Sequence, residues 1–361
     1  MQELSDAVLQ SIIIQHGLLV ERAKGIYSFS HLTFQEYFTA QIISEISEPD
    51  ILKNLAIHVI EKRWREVFLL VSELRWNAGI LIYYMKQTID SLLASDEKLQ
   101  FFLKWLKEKS ISSKVSYKLN AIRAFYFTLI RTNANRIMHY DPELLELSIA
   151  LDDTFEYAFD YEYKIIEADN YELDNDINFP SELVIDKDLV FAIEFDSDFS
   201  RSVNLSLDTS SDFSDEIRCL NNLMCKMLVS NLPLSLYRAF KLTCALNINP
   251  ELAQSLVKLL NQLPHHQRTD ENKQIFVEWW KVNNQIWNEK LRGAIAKYRN
   301  IGHNWQFSEH QNKLLEEYYN ANKLLANCLN NGCYVSPKVR SQIEDELFLP
   351  WDEIQQSKLQ E

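Results

Sequence analysis

Tyr27-Ser28-Phe29-Ser30-His31-Leu32-Thr33-Phe34-Gln35-Glu36-Tyr37-Phe38-Thr39-Ala40 changes its period partway along, and the reading of the chain turns on that change. Ile26-Tyr27-Ser28-Phe29 reads as a short strand. Leu18-Leu19-Val20 reads as its mate, with Ala23-Lys24-Gly25 between them. Past Phe29 the apolar positions Leu32, Tyr37 or Phe38, and Ile42 recur at helical spacing, which predicts a helix from about His31 to Ser47. Ser30 stands where an N-cap hydroxyl would accept from a first-turn amide, and Thr33 is a second candidate. Pro49-Asp50 breaks the helix. Upstream, Leu4, Val8, Leu9, Ile12 and Ile13 share one helical face, which His16-Gly17 ends. A helix followed by a small hairpin is how a winged-helix domain finishes, and this segment is too short to be a whole one.

Downstream the pattern is helix after helix. Leu52, Leu55, Ala56, Val59 and Ile60 form one stripe; Trp64, Val67, Phe68, Val71 and Leu74 form another. Ser95-Asp96-Glu97 caps the helix that carries Leu99, Phe102, Leu103 and Leu106. Such helices cannot bury their stripes alone, so they stack in pairs in an α-solenoid-like manner, although no clean repeat consensus is visible. Between 141 and 215 the character changes. Leu147, Ala150, Leu151, Phe155, Ala158 and Phe159 keep a helical period. Phe191-Ile193-Phe195 and Val203-Leu205-Leu207 alternate like strands, yet Phe191, Phe195 and Phe199 also fit one helical face. Helices return afterwards. Ile217, Leu220, Leu223, Met224, Met227 and Leu228 form a stripe, Asn249-Pro250 starts a helix, and a long one spans Val277 to Tyr298. Ser308 caps another that Asn331-Gly332 stops, and Ser336-Pro337 starts the last.

Composition supports a mainly α fold. In 361 residues, 47% of them hydrophobic, only six Gly and eight Pro occur, too few for a turn-rich β protein. No run approaches the roughly 18 apolar residues of a membrane span, and no basic segment followed by an apolar one opens the chain. The odd and scattered cysteines Cys219, Cys225, Cys244, Cys328 and Cys333 suit reduced thiols in a cytoplasm. The net charge of −14 is uneven: residues 141–216 hold 23 Asp or Glu against three Lys or Arg, which leaves the remainder about +6. That segment would repel nucleic acid and anionic lipid, so neither is an expected partner.

The stretch Tyr27–Ala40 resembles a hallmark of the NACHT family, in which a strand leads into a helix of the pattern F-x-H-x-[ST]-F-Q-E-[YF]-x-A at the end of the winged-helix domain. Tyr298-Arg299-Asn300-Ile301-Gly302-His303-Asn304-Trp305-Gln306-Phe307, followed by Tyr318–Leu329, resembles the C-terminal helical domain of bacterial NACHT conflict-system proteins. Glu61-Lys62-Arg63-Trp64-Arg65-Glu66-Val67-Phe68-Leu69-Leu70 is similar to the same group. The resemblance implies a switch. ADP holds such proteins closed, and a trigger sensed by C-terminal elements permits exchange for ATP and oligomerisation. It also implies that the winged-helix histidine, here His31, contacts the ADP phosphate beside an NTPase core. An imidazole N–H is a suitable donor to phosphate. Without a core, His31 would instead cap its own helix or a neighbouring loop.

The nucleotide core itself is not in this sequence. A phosphate-binding loop needs G-x-x-x-x-G-K-[ST], and Gly17, Gly25, Gly79, Gly293, Gly302 and Gly332 offer no two glycines five apart. The chain is thus expected to have no catalytic residue and no cofactor of its own, and to work with a NACHT core in cis or in trans or to be a truncated product. Cys219 and Cys225, Cys328 and Cys333, and His265-His266 lack metal-binding spacing, so no metal site is expected. Arg299 and His303 invite comparison with the R-x(4–6)-H motif of HEPN-class ribonucleases. Only three residues separate them, and Gly302 would end the helix, which favours a local bond for His303. Trp279, Trp280, Trp287 and Trp305 read as core packing rather than a ligand box.

Four segments follow: a winged-helix remnant over 1–48, a helical array over 49–140, an acidic insertion over 141–215, and a C-terminal helical domain over 216–361. The expected function is a regulatory and sensing module of a NACHT signalling NTPase in antiviral defence, with an unidentified trigger protein as partner. The alternatives are a free-standing helical interaction scaffold and a degenerate HEPN-like ribonuclease.

Overall fold

The computed structural model describes residues 2–46, 48–112, 117–131, 146–152, 250–264 and 270–359. The readings made for most of the acidic segment, for Ile217–Leu228, for Asn249, for His265-His266, and for Cys219, Cys225 and Cys244 lie outside them. The chain forms two compact units, one of residues 1–104 and 308–361, the other of residues 105–307. Mainly helical architecture with a short hairpin near the start is what the structure shows.

The first unit begins with α1 (Gln2–Ile14), the antiparallel strands β1 (Leu19–Ala23) and β2 (Ile26–Phe29), and α2 (Leu32–Glu45). Leu19 pairs with Phe29 and Val20 with Ser28. Gly25 turns the hairpin with φ +73°, a conformation that disfavours any side chain, and its amide donates to Glu21 Oε1 at 2.8 Å. Then come α3 (Pro49–Ala56), a 3-10 turn (Lys62–Trp64), α4 (Arg65–Leu74), α5 (Gly79–Ser91) and the start of α6 (Glu97–Ser112). The unit closes with α11 (Glu309–Asn330), α12 (Pro337–Glu346) and α13 (Trp351–Leu359).

The core of this unit sits around α5, which lies against α3, α11 and α12. Leu81, Ile82, Met85 and Ile89 fall on its inner stripe and are fully buried, each worth about 1.5–3 kcal/mol of apolar burial. The same helix buries a charge: Lys86 Nζ contacts both Asp90 oxygens at 2.6 Å and lies 3.9 Å from Glu346 of α12. Asp90 compensates the ammonium within α5, and Glu346 adds a longer contact from α12.

Helix caps follow from local sequence. Ser308 and Gln311 form a reciprocal capping box on α11. Ser336 accepts from the Val339 amide at the start of α12, and Asp96 from that of Leu99 on α6. Gln311 also donates to both oxygens of Asp96, so two helix N-termini share one carboxylate. Burial alone would raise the Asp96 carboxyl, but the bonds from Gln311 and from the Leu99 and Lys98 amides outweigh it and hold the group below its usual range.

In the second unit α7 (Leu119–Arg131) is buried almost all round, with Ile122, Phe125, Tyr126 and Phe127 enclosed, and it lies against α8 (Glu146–Leu151). The long α10 (Asp270–Arg299) lies against α9 (Pro250–Leu260). Trp280, Trp287, Leu291 and Ile295 make the buried seam, and Trp287 Nε1 donates to the Leu259 carbonyl at 3.0 Å. Trp280 and Trp287 are therefore core, while Trp279 and Trp305 are half-buried. Among the described residues no helix is long and apolar enough to cross a membrane.

Candidate functional site

The site begins where the hairpin hands over to α2. The Ser30 amide donates to the Leu18 carbonyl at 2.9 Å, one step beyond the Leu19–Phe29 pair. Residue 30 therefore finishes the strand pairing instead of capping the helix, and its hydroxyl is buried without a hydrogen-bond partner. The N-cap position falls on His31, with extended φ −130° and ψ 146°, and no side chain caps the first turn. This corrects the expectation of a cap from Ser30 or Thr33: the local rule yields to pairing with Leu18. The His31 side chain is exposed, its ring 5.9 Å from that of Phe34. The result is a helix N-terminus with uncapped amides and an imidazole at its mouth, an arrangement that favours an anion.

Along α2 and the hairpin several apolar side chains are exposed. Leu32 is 66% exposed and Ile42 60%, although both lie on the helical stripe that the sequence assigns to packing. Ile26 on the hairpin and Tyr37 on α2 are exposed as well. Behind this surface Phe29 stacks on Phe38 with ring centroids 5.8 Å apart, and α2 lies against α4. The far end of α2 is closed by a cation. Arg75 Nη1 donates to the carbonyls of Ile43 at 3.2 Å, Ser44 at 3.1 Å and Ile46 at 2.9 Å. Nothing in the sequence marks Arg75: its partners lie about thirty positions upstream, and the residue reads simply as the end of its own helix.

The second motif, Tyr298–Phe307, closes α10. The helix stops at Arg299, and Asn300 takes up a left-handed φ of +52°, ahead of Gly302. Three donors then collect the freed carbonyls. Lys109 Nζ bonds that of Arg299 at 2.7 Å, Trp105 Nε1 that of Asn300 at 2.9 Å, and Arg292 that of Gly302. His303 Nε2 makes a local bond to Asn300 Oδ1 at 2.8 Å. Its ring packs edge-on to Trp105 and against Trp305, which stacks on Phe307. Burial, then Arg292 and Lys109, hold the imidazole below its usual range. Arg299 and His303 are not presented on one helical face, because the backbone reverses between them. Asn300 rather than Gly302 makes the stop; otherwise the loop reading and the local bond hold.

The thiols that the structure describes are packing groups. Cys328 on α11 is buried and its thiol is pushed up to about 12, chiefly by desolvation. Cys333 is half-buried, with Sγ 3.0 Å from the Cys328 carbonyl. Among the described residues no group of three or more His, Cys, Asp or Glu is placed to hold a metal ion.

Fold and site together define a helical module built onto the end of a winged helix. Residues 1–43 match the family of the winged helix-turn-helix domain C-terminal to NACHT, and residues 252–350 match NACHT C-terminal helical domain 2. No curated protein and no solved structure matches the chain. The two matches support a NACHT C-terminal region, the winged-helix domain first and the helical domain second.

Proposed function

We propose that this chain is the regulatory and sensing module of a NACHT signalling NTPase, that it performs no catalytic step itself, and that it acts on nucleotide bound in a NACHT core present in cis or in trans. The observation that carries this reading is the open end of α2. An exposed imidazole and a first turn without a side-chain cap stand at the start of α2 next to Leu32, and further along the helix and on the hairpin Tyr37, Ile42 and Ile26 are exposed as well. An ADP phosphate against His31 would satisfy the helix end, and the core's surface would cover the apolar residues. A contact made to ADP and not to ATP biases the switch by the difference in free energy between the two states. The helical array then receives a trigger protein, in a defence role within a reducing cytoplasm.

The test mixes the chain with a NACHT core that lacks its own winged-helix segment and is loaded with fluorescent ADP. The expected result is a complex with slowed ADP release, and release accelerated again by His31→Ala. No complex and unchanged exchange would end the proposal.

A further inference from the structure

Two helix C-termini meet at Arg75. It is the C-cap residue of α4, its amide bonded to the Val71 carbonyl, and its side chain gathers the last carbonyls of α2. These are groups that a helix cannot satisfy within itself, and the negative end of the α2 dipole faces the guanidinium. The two helices are held very differently. α4 lies between α2 and α11, with Phe68, Val71 and Ser72 buried. On the α11 side, Asn331 at the end of α11 reaches the Leu69 carbonyl at 3.4 Å, the same carbonyl that accepts from the Ser72 hydroxyl at 2.7 Å. α2 fully buries only Ala40, with Phe34, Phe38 and Ile43 half-buried, so its packing on α4 is partial and the polar clasp at its last turn adds to it.

We infer that Arg75 is a positioning residue: it is the joint through which α4, anchored on α11 of the C-terminal helical domain, sets how α2 is held. A displacement of α11 reaches α4 by packing and reaches α2 through the guanidinium. Loosening the clasp frees α2 as a unit without dissolving the helices behind it. Lysine keeps the charge but is a point donor on a flexible stem, so it restores the clasp only in part. The bearing of this joint on nucleotide state rests on the function proposed above; the joint itself does not.

Native-state hydrogen exchange on the full chain tests it. In the wild type, amides of α2 open together at lower denaturant than those of α5 and α11. Arg75→Gln speeds exchange in α2 by roughly ten-fold, as expected for lost charge-assisted bonds, while α5 and α11 stay within about two-fold; Arg75→Lys falls between. Exchange in α2 that neither variant changes, or that rises in step with α5 and α11, overturns the inference. If Arg75→Gln does not fold, the lysine variant and the wild-type denaturant series decide, and an α2 that exchanges only on global unfolding also overturns it. A core that fails to bind the chain would remove the nucleotide consequence and leave the exchange result standing.

Discussion

Helices α11 and α2 belong to the same compact unit and both carry an apolar stripe, yet α11 buries ten of its residues and α2 buries Ala40 alone. The first finds its neighbours, α4 and α5, within the chain. The second presents Leu32, Tyr37 and Ile42 to the outside. A stripe on a helix predicts that something covers it and says nothing about whether the cover lies in the same polypeptide. The difference separates a stripe that this unit covers from one that it leaves exposed.

The sharpest way to break the contrast is to strip side chains from the two regions and compare. Phe348, fully buried and edge-on to Tyr318 of α11, sits at φ +60°, where a non-glycine residue is strained, so its ring must repay the backbone. Phe348→Ala is expected to cost about 3–5 kcal/mol in a denaturant titration. Ser308→Ala, which removes the cap of α11, should cost about 1 kcal/mol by the same measurement. Leu32→Ser and Ile42→Ser on α2 should each change stability by less than about 0.5 kcal/mol. Equal losses at α2 and at Phe348 would show that the outer stripe is covered after all.

The smallest effect is a pH slope, and it carries the comparison to the second unit. His303 is held below its ordinary range by burial, then by Arg292 on its own helix-loop side and Lys109 on α6. The unfolded chain therefore takes up the proton more readily than the folded one. The contribution is fully present above about pH 6.5 and is lost as pH falls through the lower folded value. Thermal unfolding from pH 7.5 down to 5 should show that loss, and His303→Gln should flatten it. An unaltered slope would mean that the ring takes up its proton as readily in the folded chain as in the unfolded one.

What was legible in the sequence was local. Ser308 and Gln311, three apart, announce their capping box, and the hairpin around Lys24-Gly25 is written in turn chemistry. The Tyr27–Ala40 and Tyr298–Phe307 stretches carry the family resemblance that the matches support. Ser30 misled because the capping rule takes no account of Leu18, twelve positions earlier, which claims its amide. Gln311 binding Asp96 and Arg75 binding α2 were invisible for the same reason: long side chains meet carbonyls or carboxylates whose nearness is set by the fold alone.

The sulfur of Cys328 offers a practical consequence. Enclosed on α11, with its proton held until about pH 12, it is almost wholly in the thiol form at neutrality and out of reach of alkylating reagents. Iodoacetamide can modify it only during those moments when α11 swings away from its neighbours. The rate of labelling at that one atom therefore clocks the breathing of the domain without any engineered probe.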